Sequence, residues 1–418
     1  MADKHSSLPL TASVAPAEQG EVVAQLQQCL ATATPVYPLG GETSLDYGLP
    51  ARVPGLGLSL AGLRRIVDYP ARDMTVTVEA GVTMASLAEL LARENQHLPI
   101  DVPQPDRATI GGVVACNWNG PRRYGYGGIR DHVIGIQAVD GRGVPFKGGG
   151  RVVKNVAGYD FCKLLTGSLG SLAVITQVTL RLRPRAEQRV WLGCAAPDLA
   201  ALEEGLAALV ESATTPIAIT ALSGPAWQEQ PLLADLTAAS QPPAAWLLVG
   251  LEGTEPEVEW MVGQLEREWR GRRVPRVSVW RGDDAERWLT LLSAWPQQAP
   301  APLVLQAAVR PRGVTPLLAA LREIDPRVSM LSHAGNGVVL ARLAEFPAAG
   351  LSRTLVARLQ TVARQQEGSV RIVSNPSGQE ASLRANWCAE GTSLEVMQSV
   401  KRQFDPQNLL NPGRFVFP

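Results

Sequence analysis

Residues 37–48 read YPLGGETSLDYG. A β-forming lead-in runs into Gly40 and Gly41, and Thr43 and Ser44 follow, with the acid Glu42 between. Loops of this composition cradle phosphates, because glycine lets backbone N–H groups come close to an anion. Neither familiar phosphate fingerprint fits. The Gly-Lys-Ser/Thr end of a Walker loop is absent. The nearest approach to a G-x-G-x-x-G turn, GLGLSLAG at 55–62, lacks its third glycine and reads as a surface turn. The plain alternative for 38–45 is a tight connection whose hydroxyls bond locally.

Two further glycine-dense joints bear on that choice: ATIGGVVACNWNG at 108–120 and LLTGSLGSLAVIT at 164–176. Three such joints are more than turn chemistry requires. A large planar ligand carrying a diphosphate, lying against backbone, would use them all.

The flanking segments alternate between helix and strand. Residues 18–33 put Val22, Val23, Leu26, Cys29 and Leu30 on one helical face. Residues 74–80 (MTVTVEA) alternate as a strand, Thr83 is placed to cap the helix MASLAELLARENQ, and LPIDV (98–102) reads as a short strand. VIGIQAVDGRGVPFKGGG (133–150) predicts a hairpin turning at Asp140-Gly141 and Gly143, and 171–183 a β-branched strand. After residue 186 the chain turns alanine- and proline-rich. WLLVGLEG (246–253) then predicts a strand, 254–270 a helix behind Thr254, and 350–367 a surface helix. The pattern predicts an α+β unit over 1–185, an α/β cap over 186–345, and a C-terminal segment over 346–418 that packs back. Of the ten tryptophans, Trp191, Trp227, Trp246, Trp260, Trp269 and Trp280 fall in the cap and are assigned to core.

Composition excludes several classes. Lys+Arg and Asp+Glu both count 39, so there is no electrostatic footprint for nucleic acid. No apolar run approaches the ~18 residues of a membrane span, and the start has no signal-peptide core, which predicts a cytoplasmic chain. Five scattered cysteines without CxxC, and four scattered histidines, predict neither a metal site nor an iron–sulfur cluster.

These segments resemble the PCMH-type FAD-binding domain of the vanillyl-alcohol oxidase family over residues 15–185. Its P-R-G-G-G-T/H-S pyrophosphate loop is similar to Pro38, Leu39, Gly40, Gly41, Glu42, Thr43 and Ser44. Its A-T-I-G-G segment along the flavin matches Ala108, Thr109, Ile110, Gly111 and Gly112, with Pro105 just before it. The N-x-x-G and R-Y-G continuation matches Asn117, Gly120, Arg123, Tyr124 and Gly125, and the strand entry matches Gly167–Thr176, with Gly170, Val174 and Ile175. The resemblance implies FAD. Thr43 stands where covalently flavinylated members carry histidine, which implies that the FAD is non-covalent. Glu42 replaces the third glycine, so a negative φ and a side chain turned to solvent are expected there.

The runs GPRR, KNVAGYD (154–160) and DPQNLLNPGR (405–414) further resemble the E subunits of bacterial glycolate oxidase. That resemblance implies two partners, a catalytic flavoprotein and an iron–sulfur subunit, and a small 2-hydroxy acid as a candidate ligand. Arg414 is assigned either to the flavin edge or to a terminal turn. For KNVAGYD the alternatives are a segment near the flavin, or a loop with Asp160 as helix cap and Tyr159 as filler.

No complete catalytic set is visible. SHAGNGVVL (332–340) is similar to the H-x-G-D-G-N-x-H segment of catalytic relatives, with Asn336 in place of the acid and Leu340 in place of the second histidine. The resemblance therefore implies an FAD-carrying subunit of a glycolate dehydrogenase complex whose partner performs most of the oxidation. The alternatives are a stand-alone FAD oxidoreductase using Arg122, Lys154 or His333 on a small 2-hydroxy acid, and a non-catalytic scaffolding subunit.

Overall fold

The computed structural model describes residues 8–150, 158–236, 242–270, 277–297, 301–387 and 392–415. Lys154, most of the KNVAGYD run and Cys388 lie outside them.

The N-terminal half holds two sheets. Three parallel strands, Leu10–Val14, Gly55–Ser59 and Val36–Leu39, lie in that spatial order. GLGLS at 55–59 is therefore the central strand of this sheet and not a surface turn. Its glycines hid the strand pattern: Gly55 and Gly57 pack where a Cβ would meet Pro35 O or Leu10 and Leu39, while Leu58 is fully buried. The helix Gln19–Ala31 covers the sheet with Val22, Leu26 and Cys29, and Leu409 and Leu410 from the chain's other end complete that core.

The second sheet is antiparallel, in the order Ile66–Asp68, Thr75–Glu79, Ala173–Arg181, Val133–Asp140, Pro145–Gly149. The hairpin at 133–149 is present, with Gly143 at φ 72° in its turn. Thr83 Oγ1 accepts from Ser86 N to cap Met84–Ala92. LPIDV is not a strand; the pairing falls one step earlier, at Gln96–His97. Ile100 and Val102 are buried as irregular backbone, so their apolar pattern reflects core packing.

The cap is one eight-stranded sheet, antiparallel at every recorded pair: Val277–Trp280, Gln188–Ala196, Ala245–Gly253, Ala218–Ser223, Ser329–His333, Val338–Leu343, Leu303–Ala308, Ser369–Ser374. Helices Leu199–Val210, Glu255–Trp269 and Val314–Ile324 pack on one face. A tryptophan-rich cluster with the helix Gly282–Ala294 covers the other. Cover on both faces explains why the 245–253 strand reads as an almost unbroken apolar run. The sheet takes its last strand, Ser369–Ser374, from beyond residue 345. Of the six cap tryptophans five are core, while Trp260 is half exposed. Among the described residues no helix is long and apolar enough to cross a membrane.

After the cap the chain returns along Thr392–Phe404 to the first half. Lys401 Nζ donates to Ser171 O, Leu410 O and Asp405 Oδ2, while Asp405 accepts from the Leu409 and Leu410 amides. This buried knot fixes the DPQNLLNPGR turn against the sheet.

Candidate active site

The three glycine joints converge. The strand Val36–Leu39 delivers Pro38 and Leu39 to a cleft of about 1040 Å³, open to solvent and lined through Ser44 by the loop that follows. This loop lies against residues 107–109: a Cβ on Gly41 would sit 1.6 Å from Arg107 O, and one on Gly40 2.3 Å from Thr109 Oγ1. Here glycine is demanded by backbone-to-backbone contact. Thr109 Oγ1 caps the short helix Ile110–Cys116, and Gly111 lets that helix sit on Ala80, its N–H donating to Ala80 O. Asn117, at φ 53°, ends the helix. The third joint is tied to the same helix by Gly167 N to Val114 O and Leu169 N to Ala115 O.

Glu42 departs from expectation. Its φ is +57°, the left-handed region, so the residue keeps the backbone of the glycine it replaces. Its side chain is exposed, as expected. Holding a non-glycine residue there costs about 1–2 kcal/mol, so other contacts must fix the loop. They come from far away. Arg414, 8% exposed, donates to Leu45 O and Tyr47 O, and Gln297 Nε2 donates to Thr43 O at 2.9 Å.

The cleft suits FAD. Among the described residues the N–H groups of Gly41 through Ser44 donate to no protein acceptor, leaving four adjacent donors for a pyrophosphate. Thr109, Gly111, Gly112, Gly170, Val174, Ile175 and Arg414 also line it. Several candidates lie elsewhere. Ile110 is fully buried beneath the helix, and Pro105 is exposed. Gly120 packs under Asp101. Tyr124 packs on Gly335, and Gly125 N donates to Ile217 O, so these two contact the cap and do not line this cleft. Residues missed in the sequence include Tyr47, Val113, Cys116, Trp118 and Asn411, which carry no motif signal on their own.

Tyr47 and Trp118, edge to face at 5.8 Å, also line a second cavity of about 850 Å³ between the two halves. Its other walls include Asn117, Asn119, Arg123, Gln306, His333, Leu340, Ser369 and Arg371, and among the described residues no carboxylate. Arg371 donates to Gln306 Oε1 at 2.7 Å and lies over the Tyr47 ring. Burial lowers the Arg123 pKa, Asp131 opposes this, and Arg371 adds to it. Two guanidiniums thus repel each other across one cavity. Burial, then Arg123, push His333 down to about 3, and its Nδ1 has no partner. Burial raises Tyr47 to about 12 and Cys116 to about 11, so both stay protonated at neutral pH.

Arg122 lines neither cavity. Its guanidinium is bonded to Asp101 at 2.6 Å and to Glu252 of the cap at 3.3 Å, and Glu252 also takes Arg189 and the Tyr126 hydroxyl. Burial opposes its charge, but Asp101 and Glu252 outweigh burial and raise its pKa. Asp160 caps its helix as expected, but Tyr159 is 86% exposed and fills nothing.

Relatives agree with this geometry. Residues 10–148 match the family described as FAD binding domain, and residues 385–415 match the C-terminal domain of FAD linked oxidases. Glycolate oxidase subunit GlcE of Escherichia coli (strain K12) is 33% identical over 199 residues, 47% of this chain and 55% of that subunit. Subunit GlcD of Bacillus subtilis (strain 168) is 25% identical over 98% of this chain and 90% of its own. The cytochrome-type mitochondrial D-lactate dehydrogenase of Arabidopsis thaliana is 24% identical over 97% of this chain and 73% of its own. An alkyldihydroxyacetonephosphate synthase structure shares the fold at TM-score 0.71, with 16% identity over 96% of this chain and 77% of its own. The chain belongs to the FAD-linked oxidoreductases with a PCMH-type FAD domain, and FAD is its cofactor.

Proposed function

We propose that this chain is a flavin-carrying subunit of a dehydrogenase for a small 2-hydroxy acid of the glycolate or D-lactate kind. The reading is carried by the second cavity: Arg123 and Arg371 face it with no carboxylate among the described residues, and it shares the Tyr47–Trp118 wall with the FAD cleft. Two half-buried guanidiniums that form no ion pair among the described residues favour an anionic occupant. Arg123 and Arg371 would hold the substrate carboxylate, Asn117 and Asn119 would offer hydrogen bonds, and the aromatic wall would exclude water. FAD, when bound, supplies the two-electron acceptor.

The proton is the weak point of a self-sufficient enzyme. His333 offers an open nitrogen, but with a pKa near 3 it accepts a hydrogen bond better than it takes a proton at neutral pH. This favours a division of labour in which a second flavoprotein performs most of the oxidation and an iron–sulfur subunit carries electrons away. The likeness to subunit GlcE supports the same reading. The intact cation pair supports the second reading, a stand-alone oxidoreductase for such acids.

One experiment separates these. The purified chain is mixed anaerobically with glycolate or D-lactate and its flavin absorbance followed. Flavin that stays oxidised until partner subunits are added supports the subunit reading. Rapid bleaching of the chain alone favours the stand-alone enzyme. A colourless protein that takes up no FAD overturns both.

A further inference from the structure

The pyrophosphate loop is held by its carbonyls, and the holders come from outside its own domain. Gln297, in the cap, donates from Nε2 to Thr43 O at 2.9 Å across 254 residues of sequence. Gln104 Nε2 in turn donates to Gln297 Oε1 at 3.0 Å, which orients the amide. Arg414 holds Leu45 O and Tyr47 O, Ser374 Oγ of the cap sheet donates to Asp46 at 2.9 Å, and Asn386 Nδ2 reaches Gly48 O at 3.4 Å. The loop so fixed is the one that carries Glu42 at φ +57° and four N–H groups without a protein acceptor. A backbone cradle binds an anion only while its amides are held in place.

We propose that Gln297 is a positioning residue for the cofactor: it latches the cap to the pyrophosphate loop, so that FAD retention depends on how the cap is docked. The proposal rests on FAD occupying the cleft. By linkage, bound FAD also holds the latch shut, and the protein with FAD has a more firmly docked cap than the protein without it. Gln297 acts through Thr43 and does not line the cleft itself.

The test uses the full chain loaded with FAD. FAD release is followed on dilution by the rise in flavin fluorescence, for the wild type, Gln297→Ala and Gln104→Ala. Loss of one neutral hydrogen bond predicts release faster by roughly 2- to 10-fold for Gln297→Ala. A smaller change in the same direction is predicted for Gln104→Ala. Thermal unfolding of the FAD-free proteins serves as the control, and it is expected to move little compared with the FAD-loaded ones. Adding Glu42→Gly to Gln297→Ala should slow release again, because glycine takes the left-handed conformation without help. Unchanged release in Gln297→Ala overturns the proposal. So does faster release matched by an equal loss of stability without FAD, which marks a merely structural contact. A wild-type chain that retains no FAD fails the cofactor reading instead.

Discussion

At the scale of single residues, the informative positions are charged or titratable groups that form no ion pair among the described residues. Arg123 and Arg371 are the clearest. On the proposed reading, replacing either by alanine removes a charge-assisted bond to the substrate carboxylate, about 1.5–3 kcal/mol, or roughly 10- to 100-fold in kcat/KM. Steady-state or flavin-reduction kinetics with a 2-hydroxy acid would check this, and an unchanged constant would move the substrate elsewhere. His333 gives a pH prediction. It stays neutral down to about pH 3 when folded, whereas an unfolded histidine takes its proton near 6.5. Between those values the unfolded chain binds more protons, so stability falls as pH drops through that window, by about 2 kcal/mol near pH 5 for this group. Denaturant unfolding of His333→Asn against the wild type should show that share of the acid sensitivity gone. Neither arginine stood out beforehand. Arg123 sat in an R-Y-G run matched to cofactor binding, and Arg371 lies in SVRIVS, which reads only as a strand. Arg122, the arginine singled out in the sequence, is an interdomain ion-pair residue.

At the scale of elements, local chemistry predicted most helices and strands. Thr83 and Asp160 each accept from an amide three residues on, and Thr254 holds the N-cap position with its N–H and hydroxyl donating to Glu257, because contacts three residues apart need no tertiary help. The failures were at 55–59 and 98–102, where tertiary packing decided the outcome. Glycines that admit a neighbouring chain look like a turn, and buried irregular backbone looks like a strand. The Thr392–Phe404 helix and its following turn depend on one buried pair. Asp405→Ala leaves Lys401 charged in the interior and two amides without acceptors. A loss of about 3–5 kcal/mol is expected by chemical denaturation. A loss below 1 kcal/mol would mean that the pair contributes little.

On the scale of the whole molecule, the two halves meet across charge as well as apolar surface. Arg122 joins Asp101 of the first half to Glu252 of the cap, with all three side chains no more than 7% exposed. Removing the guanidinium strands the buried Asp101 carboxylate and leaves Glu252 with only Arg189 and the Tyr126 hydroxyl, so Arg122→Met should cost about 3–5 kcal/mol. The halves should then unfold in separate steps, which calorimetry would resolve. A single unchanged transition would show that the apolar interface alone couples them. The convergence of three glycine joints on one cleft was readable from their order along the chain. The second cavity was not, since its walls come from residues 47, 117–119, 123, 306, 333 and 371, brought together only by the docking of the cap.

The grip of Arg414 on the loop at 45–47 spans 369 residues of sequence. During synthesis the loop lacks this clamp until those residues have followed it. At about 5–20 residues per second that interval is roughly 20–70 s. The nascent chain therefore spends that time with its flavin loop only partly fixed, and FAD capture becomes a late event in biogenesis. A stalled or truncated chain would be a poor flavin binder even with its entire N-terminal half folded.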